Sequence, residues 1–322
     1  MGSLAKSSRV LLQGVLGAAV IFMGAGAMAA VPVSTVAVPE EFEVAGGPSL
    51  AFGNSGSVAY SGPGSLKLNP GMLAIEKQYS MGAAYHWPAF GREFYKLGVV
   101  DSQTSPVAAG VSYTSFVTPD DAAFGGEGSS DGRYVARRIG LGAAWAFRTF
   151  AAGVSGQWTE AGPPASSFEV DTKSPAAIRG TSLNAGVVGL LTPSTRIGFS
   201  VEGLANNSVG IYSPSYTRVG LASLVSQGQT SVHLDWLRRE MLPGEIEEEQ
   251  MVTGSFSVKI YDYLRLLGAY GKDPLPGHAR ETAAAGISLV GPKFSLSYAA
   301  SRPDVRMEEA HQAINLNLEL SM

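Results

Sequence analysis

The sequence predicts an all-β protein: a transmembrane antiparallel β-barrel of about fourteen strands with an N-terminal plug segment. Three observations lead there. An export-type leader opens the chain, a two-residue apolar period recurs from Gln78 to Met322, and the connections between strand-length segments alternate short and long. The last segment shows the period most plainly. Ile314, Leu316, Leu318, Leu320 and Met322 alternate with Ala313, Asn315, Asn317, Glu319 and Ser321. Successive side chains on a strand point to opposite faces, so this segment has one oily face and one wet face.

The leader comes first. Lys6 and Arg9 give it a positive start, Val10 to Met23 is almost wholly apolar, and Gly24 to Ala30 is rich in small residues. Ala27-Met28-Ala29 fits a signal-peptidase site, which predicts removal of residues 1–29. Residues 10–30 would also be long enough for an uncleaved helical anchor, but Gly and Ala crowd the end where an anchor would carry Leu and charge. Past Met23 no apolar run is long enough for a helical span. Only 16% of the 322 residues are charged, against about 25% in soluble proteins. Low charge without a spanning helix leaves a closed barrel, because lipid offers the backbone no hydrogen-bond partners. The chain has no Cys, which excludes disulfides and thiolate metal sites. A net charge of -4 argues against a nucleic-acid partner.

Residues 30–77 form an N-terminal segment without sustained period: Val- and Pro-rich at first, then acidic at Glu40, Glu41 and Glu43, then rich in Gly, Ser, Asn and Pro. Residues 78–322 carry the barrel. Alternation places strands at 78–88, 92–100, 106–118, 133–147, 149–159, 179–190, 195–206, 216–226, 229–240, 250–260, 262–271, 280–290, 292–302 and 312–322. Segments 216–226 and 280–290 alternate weakly because Ala and Gly occupy both faces. Tight turns such as Thr192-Pro193-Ser194 and Val290-Gly291-Pro292 fall on one side, with long polar connections at 119–132, 160–178, 207–215, 241–249, 272–279 and 303–311 on the other. Bacterial barrels have short periplasmic turns and longer outer loops. The turn at Ala89 to Gly91 is short and breaks the rule. Tyr85, Trp87, Trp158, Trp236, Tyr270 and Tyr298 suit an interfacial girdle.

The non-lipid face of these strands supplies a polar lumen: His86, Arg138, Gln157, Arg196, Glu202, His233, Asp235, Arg265 and Glu319, with Ser80, Asn184, Lys293, Asn315 and Asn317. An Arg or Lys facing lipid at mid-depth would cost about 2–4 kcal/mol, which drives these charges inward or to a rim. No catalytic constellation, metal site or cofactor motif is present. His233 and Asp235 share a strand face, but no nucleophilic Ser in the right place can be named, and polar lumen residues need no catalytic explanation. Asp120, Asp121, Glu127 and Asp131 lack calcium-loop spacing, and Glu245 to Glu249 reads as a solvated loop tip.

Leu50-Ala51-Phe52-Gly53-Asn54-Ser55-Gly56 and Asn69-Pro70-Gly71-Met72-Leu73-Ala74 resemble the N-terminal region of the FadL-type outer membrane transporters and the related PorV-like barrels. Those carry an Asn-Pro-Ala-Gly-Leu-Ala type motif directly before the first strand. Gly71 stands where Ala is usual. The resemblance implies an outer membrane location and a hatch in which Asn69, Pro70 and Gly71 meet the wall. It also implies passive passage of hydrophobic small molecules such as long-chain fatty acids. Read from the residues alone, Leu68 to Ala74 is equally an exposed turn into the first strand. Phe116, Val117, Phe124 and Phe168, at or beyond the outer strand ends, are the candidate capture residues. The alternative is a non-conducting scaffold barrel that holds a secreted or surface protein partner, as PorV-like barrels do.

Overall fold

Fourteen segments with a period of two become fourteen strands, each hydrogen-bonded to its neighbours in sequence and closed into a barrel. The computed structural model describes residues 36–37, 50–53, 55–87, 93–117, 135–162, 178–209, 211–212, 215–225, 229–239, 249–275, 280–302 and 311–320. The strands are β1 (Tyr79–Trp87), β2 (Glu93–Asp101), β3 (Val107–Val117), β4 (Val135–Ala146), β5 (Phe150–Gly162), β6 (Ile178–Thr192) and β7 (Thr195–Val209), followed by β8 (Tyr216–Val225), β9 (Thr230–Arg239), β10 (Glu249–Tyr261), β11 (Leu264–Lys272), β12 (Glu281–Val290), β13 (Phe294–Arg302) and β14 (His311–Leu320). All neighbours run antiparallel, and β14 pairs with β1 from Gln312↔Trp87 to Leu320↔Tyr79. No helix among the described residues is long and apolar enough to cross a membrane. The leader at 1–29 lies outside the described residues.

Burial is inverted relative to a water-soluble protein. Leu97, Leu141 and Leu234 are more than half exposed at 56%, 60% and 52%, and similar side chains cover the exterior of every strand that carries them. The alternate positions point inward: Ser80, Asn184, Ser200, Thr253, Ser255 and Asn315 are buried. Two aromatic belts border this apolar surface. Tyr85, Trp87, Tyr95 and Tyr298 cluster at the end nearer the long connections, while Phe147 stacks on Phe150 and Tyr261 on Tyr263 at the turn end. Apolar exterior, polar interior and paired belts are the arrangement of a barrel in lipid. The tight turns are closed by backbone bonds, with Phe147 N donating to Phe150 O at 2.7 Å and Gly291 N to Phe294 O at 2.7 Å.

One strand departs from the simple ladder. The register of β6 on β7 passes from Leu183↔Ala205 to Ala185↔Val201, so Glu202, Gly203 and Leu204 face the single residue Asn184. Gly203 takes φ +74° at this bulge, a conformation that favours glycine. The Asn184 Oδ1 accepts from Gly203 N at 3.0 Å and fills the gap in the ladder. Beyond the bulge β7 continues to Val209, and Ile211–Tyr212 pair in parallel with Val36–Ala37. The sequence reading had placed a loop at 207–215.

Residues 50–53 and 55–77 occupy the lumen. They form a short helix α1 (Ser65–Leu68) and a 3₁₀ turn (Pro70–Ala74), packed on the inner faces of β3 to β7. Leu66, Leu73 and Ala74 join Val100, Ala108, Ala144 and Ala151 in one apolar cluster. Val58 and Met72 join Val188 and Ala222 in another.

Replacing Leu141 by Arg should lower the stability of the barrel in lipid vesicles by about 2–4 kcal/mol, measured by reversible unfolding in guanidinium. A cost below about 0.5 kcal/mol would mean that Leu141 does not face hydrocarbon.

Candidate functional site

The inner wall beneath the N-terminal segment is built from glycines. A Cβ on Gly142 would lie 2.5 Å from Leu66, and one on Gly153 would lie 2.5 Å from the Pro70 carbonyl. Cβ atoms on Gly98, Gly186, Gly198 and Gly220 would run into Pro63, Asn69, Val58 and Ser57 respectively. Strands β2 and β4 to β8 thus each contribute an inward glycine at the point where the segment touches them. With no side chain there, the segment's side chains, and at Gly153 the Pro70 backbone, come directly against the wall backbone.

Hydrogen bonds fix the segment on this seat. The Asp235 carboxylate accepts from Gly56 N at 2.9 Å, Ser57 N at 3.1 Å and Ser57 Oγ at 2.5 Å. Ser155 Oγ donates to Leu66 O at 2.5 Å and Ser200 Oγ to Leu68 O at 2.7 Å, satisfying carbonyls at the end of α1. Asn69 is fully buried. Its Nδ2 donates to Val187 O at 3.2 Å, and its Oδ1 accepts from Gly71 N at 3.0 Å. Pro70 lies over Gly153, and a Cβ on Gly71 would sit 3.0 Å from Gly186 O and 3.2 Å from Ala151 O. All three residues of the Asn-Pro-Gly motif therefore touch the wall.

Charge ties the same segment to the wall at two levels. Lys67 Nζ lies 3.5 Å from Glu202 Oε1, and Arg218 lies 3.6 Å from Glu202 Oε2; all three side chains are buried. Toward the turn end, Arg196 contacts Glu76 at 3.2 Å, and Ser61 Oγ donates to the same carboxylate at 2.5 Å.

On the long-loop side of α1 a partly open cavity remains between the segment and β1 to β5. Its lining includes Lys67, Lys96 and Arg138 with Tyr60, Ser112, Thr114, Gln157 and Asn315, and, among the described residues, no acidic one. Arg138 is braced by its Nε, which donates to Thr159 Oγ1 at 3.1 Å. This lining offers cationic and neutral polar groups beside the apolar surface of Pro63 and Leu66, a combination suited to an amphipathic molecule.

The predicted lumen residues separate by position. Arg138 and Gln157 line the cavity. Glu202 and Asp235 hold the segment. Arg196 is at the turn-side rim. His86 is buried against Phe94, ring centroids 4.2 Å apart. His233 stacks on Phe52 at 5.0 Å and shares a 2.8 Å hydrogen bond with Ser231 Oγ. That Ser–His pair has no orienting acid in place, since the Asp235 oxygens take the Gly56 and Ser57 donors. Arg265 is exposed at the turn end of β11, and Lys293 lies in an exposed turn. The side chains of Glu319, Phe116 and Val117 lie outside the described residues, as do Phe124 and Phe168 entirely. Among the described residues no three of His, Asp and Glu come together as metal ligands. The sequence reading did not single out Lys67, Lys96, Arg218 or Ser57. The inward parity of Lys96 with Phe94 and of Arg218 with Tyr216 is the signal that would have found two of them.

No protein-family model and no curated protein matches the sequence. Solved barrels match in shape. The toluene transporter TbuX of Ralstonia pickettii aligns over 85% of this chain and 97% of its own, with TM-score 0.58 and 14% identity. The Pseudomonas putida toluene transporter TodX aligns over 85% and 97%, at 0.56 and 15%. A Pseudomonas aeruginosa FadL homologue aligns over 89% and 99%, at 0.53 and 13%. The chain has the FadL-type barrel fold.

Replacing Gly198 by Val, or Asp235 by Ala, should unseat the segment; the latter leaves donors unsatisfied at about 1–3 kcal/mol each. Liposomes carrying either variant should swell faster in small sugars than those carrying the parent, with strand content unchanged by circular dichroism. Equal swelling would show that these contacts do not hold the lumen shut.

Proposed function

We propose that the chain is a passive outer membrane conduit for hydrophobic small molecules, with long-chain fatty acids as the substrate class. The observation that carries the reading is the cavity above α1, where Lys67, Lys96 and Arg138 line one wall beside apolar surface with no acid among the described lining residues. A carboxylate would settle among these cations while its chain lay against Pro63 and Leu66. Hydrogen bonds to charged partners contribute about 1.5–3 kcal/mol, enough to select an anionic head over a neutral one. The fold shared with two toluene transporters and a FadL homologue supports transport of hydrophobic compounds in general. The segment 30–77 acts as a hatch, and Phe116, Val117, Phe124 and Phe168 are the proposed capture residues at the mouth. Residues 1–29 serve as a cleaved export signal. Passage needs no energy source, since the ligand moves down its gradient.

The second reading is a plugged scaffold for a protein partner. The seating of the segment on six wall strands through glycines favours it. Uptake of labelled oleate into proteoliposomes decides between them. The conduit reading expects uptake above empty liposomes and a roughly tenfold loss for Lys96→Gln/Arg138→Gln, with neutral hydrocarbon flux unchanged. No uptake, together with a co-purifying surface protein, would replace it with the scaffold.

A further inference from the structure

The exterior carries a feature that neither the lumen nor the hatch uses. At the long-loop end, just beyond the aromatic belt, five cationic side chains stand on the outward register: Arg137, Arg179, Arg238, Lys272 and Arg302, all exposed. Arg238 is the next outward residue after Trp236, and Lys272 is the next after Tyr270. Arg302 follows Tyr298 by two outward steps. Arg137 and Arg179 flank Glu160 on adjoining strands, through the register Arg137↔Glu160↔Arg179.

Three acids, Glu93, Glu160 and Glu281, hold outward strand positions at that end among the described residues, against five cations. Glu160 and Glu281 each sit beside a cation, Arg179 at 2.9 Å and Lys272 at 3.6 Å. The Arg179 side chain stays 68% exposed despite its bond to Glu160. The opposite rim differs. There the outward strand ends include Phe150, Ile260, Leu264, Leu289 and Phe294, the charged one is an acid, Asp101, and the cations Arg148 and Lys293 lie in turns. The cationic excess therefore belongs to one rim. Tyr and Trp belts mark the depth where acyl chains give way to headgroups, and one outward step along a strand pair is about 7 Å further. That is the depth of lipid phosphate.

We propose that this rim binds the phosphates of outer-leaflet glycolipid, in two patches: Arg137 with Arg179 on β4 and β6, and Arg238, Lys272 and Arg302 on β9, β11 and β13. The patches clamp annular lipid around the barrel mouth. Guanidinium groups suit this because they take phosphate oxygens in pairs. The site rests on the reading of the exterior as lipid-facing, and is independent of what the lumen carries.

The test uses the full-length protein in non-ionic detergent, titrated with phosphorylated lipid A, its dephosphorylated form, or inorganic phosphate, with bound lipid read by native mass spectrometry. Heat-modifiable gel migration of each sample reports the folded barrel separately. The phosphorylated lipid should bind, the dephosphorylated form about tenfold more weakly, and inorganic phosphate should not compete at equal concentration. Arg137→Gln/Arg179→Gln and Arg238→Gln/Lys272→Gln/Arg302→Gln should each lose about tenfold with heat modifiability intact. Variants that bind like the parent, equal binding of the dephosphorylated lipid, or displacement by inorganic phosphate would each overturn the site. Loss of heat modifiability in the parent would instead overturn the membrane reading beneath it.

Discussion

The ladder between β14 and β1 is the constraint on which everything else depends. In hydrocarbon an unpaired N–H or C=O finds no water, so a sheet with free edges cannot lie there. Closure removes both edges at once. It also fixes a lumen, and a lumen of fourteen strands is too wide for wall side chains alone to fill. The residues preceding β1 enter that space, and the inner wall is shaped to receive them. Polar wall groups that would otherwise face water bond to the segment's backbone, as Ser155, Ser200 and Asp235 do.

The seat explains a weakness in the sequence signal. Segments 216–226 and 280–290 alternate poorly because their inward positions include Gly220 and Gly286, which lie under Ser57 and Ala51. Small residues there answer to packing and not to a strand's own propensity. The strands themselves were legible, each end lying within about three residues of its prediction, because the two-residue period is local and lipid enforces it. The path of residues 50–77 was not legible: it has no period, and its contacts join residues far apart in the chain. Asp235 was visible as an inward carboxylate. Its partners, Gly56 and Ser57, were not, since nothing local to β9 names them.

The same logic applies to the buried charges. Lys67, Glu202 and Arg218 sit together out of water, an arrangement whose desolvation can match its Coulomb gain. The contribution of the cluster is positional: it joins α1 to the wall beside the bulge at Gly203, where the ladder is irregular. The Asn184 side chain completes that region, reaching Gly203 N on one side and Ser155 on the other, and Ser155 in turn holds Leu66 O. The N-terminal segment, the wall and the bulge therefore form one connected polar network. Displacing the segment would disturb each of them.

The central claim is that one side of each strand meets lipid and the other meets the lumen. Single nitroxide labels from Ala313 to Leu318 on β14, in vesicles, report it directly through collision with oxygen dissolved in the bilayer. The account expects high collision rates at Ile314, Leu316 and Leu318 and low rates at Ala313, Asn315 and Asn317. Uniform rates along the strand, or protection of the three apolar positions from lipid, would contradict it.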